Sequence, residues 1–182
     1  LKDRYLKNIK ENPELYIGIE LEFPIVHTKG QPTDIEVSKD LMNFLVDALS
    51  LEVEKVDQEG NSIQLVEPAS QDRILFEVSY TTLEFAFGRA QTIQEVEGRF
   101  QAYMKVIQKK LEEKNHAIQG WGIHPNWNQN DNRPVAYPRY QMLMDYLRMG
   151  SHQESAHLHD FPQYGAFICG SQVQLDVSKS NY

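Results

Sequence analysis

The stretch Tyr16-Ile17-Gly18-Ile19-Glu20-Leu21-Glu22-Phe23 decides how this 182-residue chain is read. Side chains of an extended strand alternate between two faces. Ile17, Ile19, Leu21 and Phe23 therefore share one face, and Gly18, Glu20 and Glu22 share the other. Strands disfavour acidic residues unless one face is wet or carries a cation. The stretch predicts a strand with core on one side and two neighbouring carboxylates on the other.

A second acidic pair lies in Ile74–Phe85, ILFEVSYTTLEF. Glu77 and Glu84 are an odd number of residues apart, so one straight strand would put them on opposite faces. A hairpin turning at Tyr80-Thr81 would pair Ser79 with Thr82, Val78 with Leu83 and Glu77 with Glu84. Tyr-Thr is not a favoured two-residue turn, and a longer loop or a bulge would also bring the two segments alongside. Like charges directly opposite one another are destabilising, so the pattern calls for a compensating cation. Carboxylates without nearby cysteine suit a hard divalent ion, Mg²⁺ or Mn²⁺, over zinc. For any single glutamate, a solvated sheet face explains the residue as well. Four in two strongly apolar segments favour a metal site.

Composition bounds the class. Hydrophobic residues make up 41% and charged residues 24%, ordinary for a globular domain with a core. No apolar run approaches the roughly 20 residues of a membrane span, and no secretory signal pattern opens the chain. The net charge of −8 argues against nucleic acid or an anionic membrane as partner. One cysteine, Cys169, excludes an internal disulfide and fits a reducing cytoplasm. The chain starts at Leu1 and stops soon after a strand pattern, which suggests part of something longer.

Around the acidic strands the sequence predicts a short helix over 2–10, ending before Pro13, and a second helix from Leu41, Phe44, Leu45, Ala48 and Leu49. Strands are expected over 51–56 and 62–66, with the glutamate hairpin over 74–87. Thr92 and Glu95 form a capping box that opens the longest helix, with Val96, Phe100, Tyr103, Met104, Ile107 and Leu111 on one face. Residues 117–124 read as strand, 125–138 as a polar loop, 139–149 as a helix, 151–162 as a second polar loop and 165–177 as the last strand. Helices interspersed with hairpin-like strands predict an α+β fold with a largely antiparallel sheet.

Other chemistry is thin. There is no phosphate loop and no dinucleotide fingerprint, so any nucleotide is held otherwise. There is no nucleophile elbow, and the apolar setting of Cys169 reads as a packing thiol. His152, His157, His159 and Asp160 could bind a transition metal, but a solvated loop explains them better. His124, at a predicted strand end, either hydrogen-bonds a substrate or caps the turn before Pro125. Arg139, leading a helix, is suited to holding a phosphate or carboxylate and equally to the surface.

The ordered set IGIELEF, the Glu77/Glu84 pair, a long helix, GWGIHPNW, PRYQMLMDYL and CGSQVQLDV resembles the glutamate–cysteine ligase family and the related carboxylate–amine ligases. The resemblance runs from about Tyr16 to Val177. It implies a glutamine synthetase-like fold, an antiparallel curved sheet with flanking helices and Mg²⁺ on its inner face. It further implies that 1–182 is a single unit forming the N-terminal part of a longer catalytic domain. By this likeness Glu20, Glu22, Glu77, Glu84 and Gln172 are metal ligands. Gln174, Arg139, Tyr140 and His124 are substrate- or nucleotide-binding residues. The implied small molecules are ATP, glutamate and cysteine, and the implied protein partner is the rest of the catalytic domain or a second copy. The competing readings are a ligase using another amine, a noncatalytic metal- or nucleotide-binding module, and a hydrolase using paired carboxylates.

Overall fold

The computed structural model describes residues 9, 11–149, 163–176 and 178. Among them the chain forms seven strands and three α-helices. Strand β1 (Ile17–His27) leads to α1 (Ile35–Ala48), β2 (Glu52–Val56), β3 (Ser62–Val66), β4 (Arg73–Phe76) and β5 (Thr82–Ala86). Then come α2 (Ile93–Glu112), β6 (His116–Ile118), α3 (Pro138–Met149), a 3₁₀ turn (Tyr164–Ala166) and β7 (Ser171–Leu175). The sheet is antiparallel, in the order β2-β3-β4-β5-β1-β6. β7 lies alongside the first half of β1. The fold is α+β, as the sequence predicts.

The helices start where side chains satisfy their free N–H groups. The Asp34 carboxylate accepts from the Glu36 N–H to cap α1. The Thr92 hydroxyl accepts from the Glu95 N–H to cap α2. The Glu95 carboxylate accepts in turn from the Gln91 N–H, one residue before the position a standard capping box uses. α3 begins on Pro138, whose missing N–H costs nothing in a first turn.

One face of the sheet is core. Leu83 and Phe85 of β5, Ile25 of β1, Leu41 and Leu45 of α1, and Ile107 and Leu111 of α2 are at most 1% exposed. Phe100 stacks on Phe23 with ring centroids 5.5 Å apart and meets Phe85 edge-on at 5.4 Å. Truncating a buried aromatic such as Phe85 to alanine costs about 3–5 kcal/mol. This packing makes the core face rigid, and the opposite face inherits that rigidity.

The structure corrects two strand boundaries and one register. The Tyr80-Thr81 hairpin does not form. Phe76 pairs with Leu83 and Leu75 with Glu84, so Glu77 is not opposite Glu84. Glu77–Thr81 make a longer connection, in which the Glu77 N–H donates to the Thr82 carbonyl and Val78 takes a φ of 61°. A β-branched residue rarely adopts that left-handed conformation, so nothing in the sequence announced it. β6 covers only His116–Ile118 instead of running on to His124, and Ile123 bridges Ile168 rather than β1. The last strand is only Ser171–Leu175, with the 3₁₀ turn occupying its predicted start. The predicted helix over 2–10 and the loop over 151–162, with its three histidines, lie outside the described residues.

Candidate active site

β1 is the centre of the site because both of its edges are paired. Along one edge, Glu22 stands directly opposite Glu84, and Glu20 opposite Ala86. Along the other, Glu20 faces Gln172 and Gly18 faces Gln174. Directly opposed residues of an antiparallel pair project from the same face. Leu75, opposite Glu84, shares that face, and Glu77, just past the end of β4, hydrogen-bonds Glu84 and lines a cavity with Glu22. The changed hairpin register therefore still delivers Glu77 to the acidic face, displaced along the strand. Glu20, Glu22, Glu77, Glu84, Gln172 and Gln174 all belong to one surface.

Glu84 is 8% exposed. Burial, together with the nearby Glu77, Glu20 and Glu22 carboxylates, raises its pKa to about 8 from an ordinary 4.5, and it shares a hydrogen bond with Glu77. Glu22 is also raised, first by burial and then by Glu77 and Glu20, against the lowering effect of a backbone donor. That donor is the Gly170 N–H, 2.7 Å from Glu22 Oε2. The Tyr140 hydroxyl, on α3, lies 3.2 Å from Glu77 Oε2 and 3.0 Å from the Phe76 carbonyl. Among the described residues no lysine or arginine forms an ion pair with any of the four glutamates. Nor, as they stand, are three His, Cys, Asp or Glu side chains of the described residues grouped for metal coordination.

The remaining predicted residues separate. Gln174 packs against Gly18: a Cβ there would lie 3.0 Å from its side-chain oxygen. Arg139 is exposed, with its guanidinium over the Tyr140 ring at 5.9 Å. His124 is fully buried. Its Nδ1 accepts from the Asn126 N–H at 3.1 Å, and its Nε2 lies 2.9 Å from the Ile25 carbonyl and 3.1 Å from the Thr33 hydroxyl. Both ring nitrogens thus have partners within the protein, and the bond from Asn126 is the turn cap. Cys169 has its thiol pushed up to about 12 by burial and by Glu22, which makes it a poor nucleophile.

Sequence reasoning missed the cavities around the acidic face. One of about 840 Å³ is lined by Glu20, Arg73, Arg89 and Arg99 among others. Another of about 200 Å³ joins Glu22 and Glu77 to Leu143, Leu147 and Ile168. The arginines come from the β4 start, the turn after β5 and the first turns of α2. Scattered surface-type arginines carry no periodic signal. The one available cue was Gly88 beside Arg89, a glycine just past a strand end.

The antiparallel α+β sheet thus gathers its acids on one face, with no ion pair to them among the described residues and with cavities at its border. Residues 16–181 match the family model described as glutamate-cysteine ligase family 2. The chain belongs to that family, and with it to the carbon–nitrogen ligases. No curated protein matches the sequence.

Proposed function

We propose that this chain carries the metal- and substrate-binding face of an ATP- and Mg²⁺-dependent ligase joining the γ-carboxylate of glutamate to the amine of cysteine. The observation that carries the reading is the β1–β5 register, which sets Glu22 against Glu84, with Glu20 and Glu77 close by and, among the described residues, no lysine or arginine paired to any of them. Mn²⁺ would suit the same oxygen donors. The donor chemistry fits such an ion. Glu84 is held protonated and hydrogen-bonds Glu77, and a divalent cation is the natural replacement for that proton.

In this reading Glu20, Glu22, Glu77, Glu84 and Gln172 hold the ion, which when bound neutralises phosphate oxygens. Gln174 faces the substrate from β7, and Tyr140 orients Glu77. The γ-carboxylate of glutamate attacks the γ-phosphorus of ATP, ADP leaves, and a γ-glutamyl phosphate results. The acceptor amine then attacks the acyl carbon, loses its proton and expels phosphate. No side-chain nucleophile is needed, in keeping with the inert Cys169. Phosphoryl transfer depends on positioning, and strands backed by a packed core position their ligands better than loops do.

The same proposal takes 1–182 as the N-terminal part of a longer catalytic domain in a glutamine synthetase-like arrangement. Support comes from β7, all five of whose residues are exposed, an edge able to accept further structure. Among the described residues no helix is long and apolar enough to cross a membrane. The cytoplasmic setting rests on the single cysteine.

The test is product identity. The full-length protein is incubated with ATP, Mg²⁺, glutamate and an equimolar amino-acid mixture, and products are read by mass spectrometry with and without chelator. γ-Glutamylcysteine, lost with chelator, is the expected result. Another γ-glutamyl product would reassign the acceptor. No ATP-dependent product would overturn the ligase reading and leave a binding module.

A further inference from the structure

The 840 Å³ cavity borders the acidic face at Glu20 and holds three arginines, and they are not equivalent. Arg73 is committed to Glu54, with Nε 2.8 Å and a terminal nitrogen 3.0 Å from the two carboxylate oxygens. Arg99 is committed to Asp72 at 2.5 Å, and it also donates to the Gly88 carbonyl at 3.3 Å. Arg89 forms no ion pair among the described residues. Its guanidinium lies over the Tyr16 ring, 5.2 Å from the centroid. Of the two lining glutamates, Glu95 is engaged by the Gln91 N–H, so among the described residues Glu20 is the cavity's anion without an ion-pair partner as Arg89 is its cation without one.

The backbone beneath Arg89 is pinned from both sides. Gly88 donates its N–H to Asp72 Oδ1 at 2.8 Å. It approaches the Ser70–Gln71 turn so closely that a Cβ would lie 1.9 Å from the Ser70 carbonyl oxygen. On the other side Ala90 exchanges two backbone hydrogen bonds with Ile17, at 2.9 and 3.0 Å. Asp72 is itself 2% exposed and also accepts from the Tyr103 hydroxyl at 2.9 Å. An exposed, uncompensated guanidinium on so constrained a turn is preorganised for an anion, and preorganisation lowers the ordering cost of binding. Guanidinium pairs with carboxylate or phosphate in a planar, two-point geometry.

We propose that Arg89 is the anion-recognising residue of this cavity, pairing with the negatively charged end of a small substrate whose reacting end meets the acidic face beside Glu20. Carboxylate and phosphate share the required chemistry, so the substrate amino acid and the nucleotide are both sources. The proposal deepens the ligase reading and rests on it for the reacting end, while the anion site itself is testable without turnover.

The test compares wild type, Arg89→Gln and Arg89→Lys of the full-length protein. Calorimetric titration uses glutarate and tripolyphosphate as probes, without metal. Wild type should bind one of them, Arg89→Gln should bind it about tenfold or more weakly, and Arg89→Lys should fall between, because lysine keeps the charge but not the fork. Thermal midpoints should match, since the guanidinium is exposed. In turnover, Arg89→Gln should raise KM for one substrate by about tenfold with kcat nearly unchanged. A rise for glutamate assigns the carboxylate, and a rise for ATP the phosphate. Equal binding of both probes by wild type and Arg89→Gln, or no binding by wild type, overturns the anion site. Loss of probe binding in Arg89→Gln by a protein that makes no γ-glutamyl product would leave Arg89 standing and remove the ligase reading instead.

Discussion

Two buried acids of this chain are treated in opposite ways. Asp72 receives Arg99, the Tyr103 hydroxyl and the Gly88 N–H. Glu84 receives another carboxylate, Glu77, and has two more nearby. Both side chains are withdrawn from water, so both would bear the desolvation cost of a buried charge. The fold meets that cost in full at Asp72, which ties the loop before β4 to α2 and to the turn after β5. It leaves the cost unmet at Glu84, and the carboxyl responds by holding its proton to about 8. An acid supplied with donors braces the fold, whereas an acid denied them keeps its proton, and in the proposed function a cation takes that proton's place.

Replacing each acid by its amide is the sharpest way to break that comparison. Glu84→Gln should cut metal-dependent ligase activity by about three orders of magnitude, since a ligand that anchors transition-state charge is worth several kcal/mol. Its melting temperature without metal should be unchanged or higher, because like-charge crowding is relieved. Asp72→Asn should do the reverse, losing about 3–5 kcal/mol of stability by leaving the Arg99 guanidinium without its partner. Any activity lost by Asp72→Asn should follow its unfolding. Wild-type activity in Glu84→Gln, or an unaltered melt in Asp72→Asn, would dissolve the distinction.

Next in size is pH. In the folded chain Glu84 titrates near 8, against 4.5 ordinarily. Between those values the native state holds a proton that the unfolded chain has released, so stability falls as pH rises through the window. The metal-free protein should lose on the order of 2 kcal/mol across it, about 4–8 °C in melting temperature for a domain of this size. Mg²⁺ should restore stability at the alkaline end and do little at the acid end, where the proton still occupies the site. Glu84→Gln should flatten the slope. Stability that climbs with pH in the wild type would contradict the crowded-acid account.

How far the sequence carried this picture depends on the kind of signal each element leaves. β1 was legible because period-2 alternation separates Ile17, Ile19, Leu21 and Phe23 from Glu20 and Glu22, and the structure puts one set on the core and the other opposite Glu84 and Gln172. α2 was legible through Thr92 and its apolar stripe. The β4–β5 register was not, because it turns on Val78 in a left-handed conformation that propensity argues against. The role of His124 lay open because a polar residue at a turn looks alike whether it caps or binds. Asp72 and Arg99 left no pattern at all, and Arg89 only the glycine before it. They act through contacts between a loop, a turn and a helix, and only tertiary structure brings these together.

The smallest predicted effect concerns two tyrosines that donate to the two kinds of acid. Tyr103 gives its hydroxyl to Asp72 and Tyr140 gives its own to Glu77. Burial raises the pKa of both phenols, and the carboxylate beside each raises it further. Both therefore stay protonated and act only as donors. Tyr103→Phe removes one of several donors to a braced acid and should cost about 1 kcal/mol, with activity and metal affinity untouched. Tyr140→Phe also frees the Phe76 carbonyl, so its stability cost should be similar. Its second consequence differs, because Glu77 loses the hydroxyl that orients it. Outer groups of that kind are worth about 10–100-fold in metal affinity, so the Mg²⁺ concentration for half-maximal activity should rise by about tenfold in Tyr140→Phe alone. Measuring that concentration in both variants separates a donor that braces from one that aims. An equal Mg²⁺ requirement in the two would place Glu77 outside the metal site and confine the ion to Glu20, Glu22, Glu84 and Gln172.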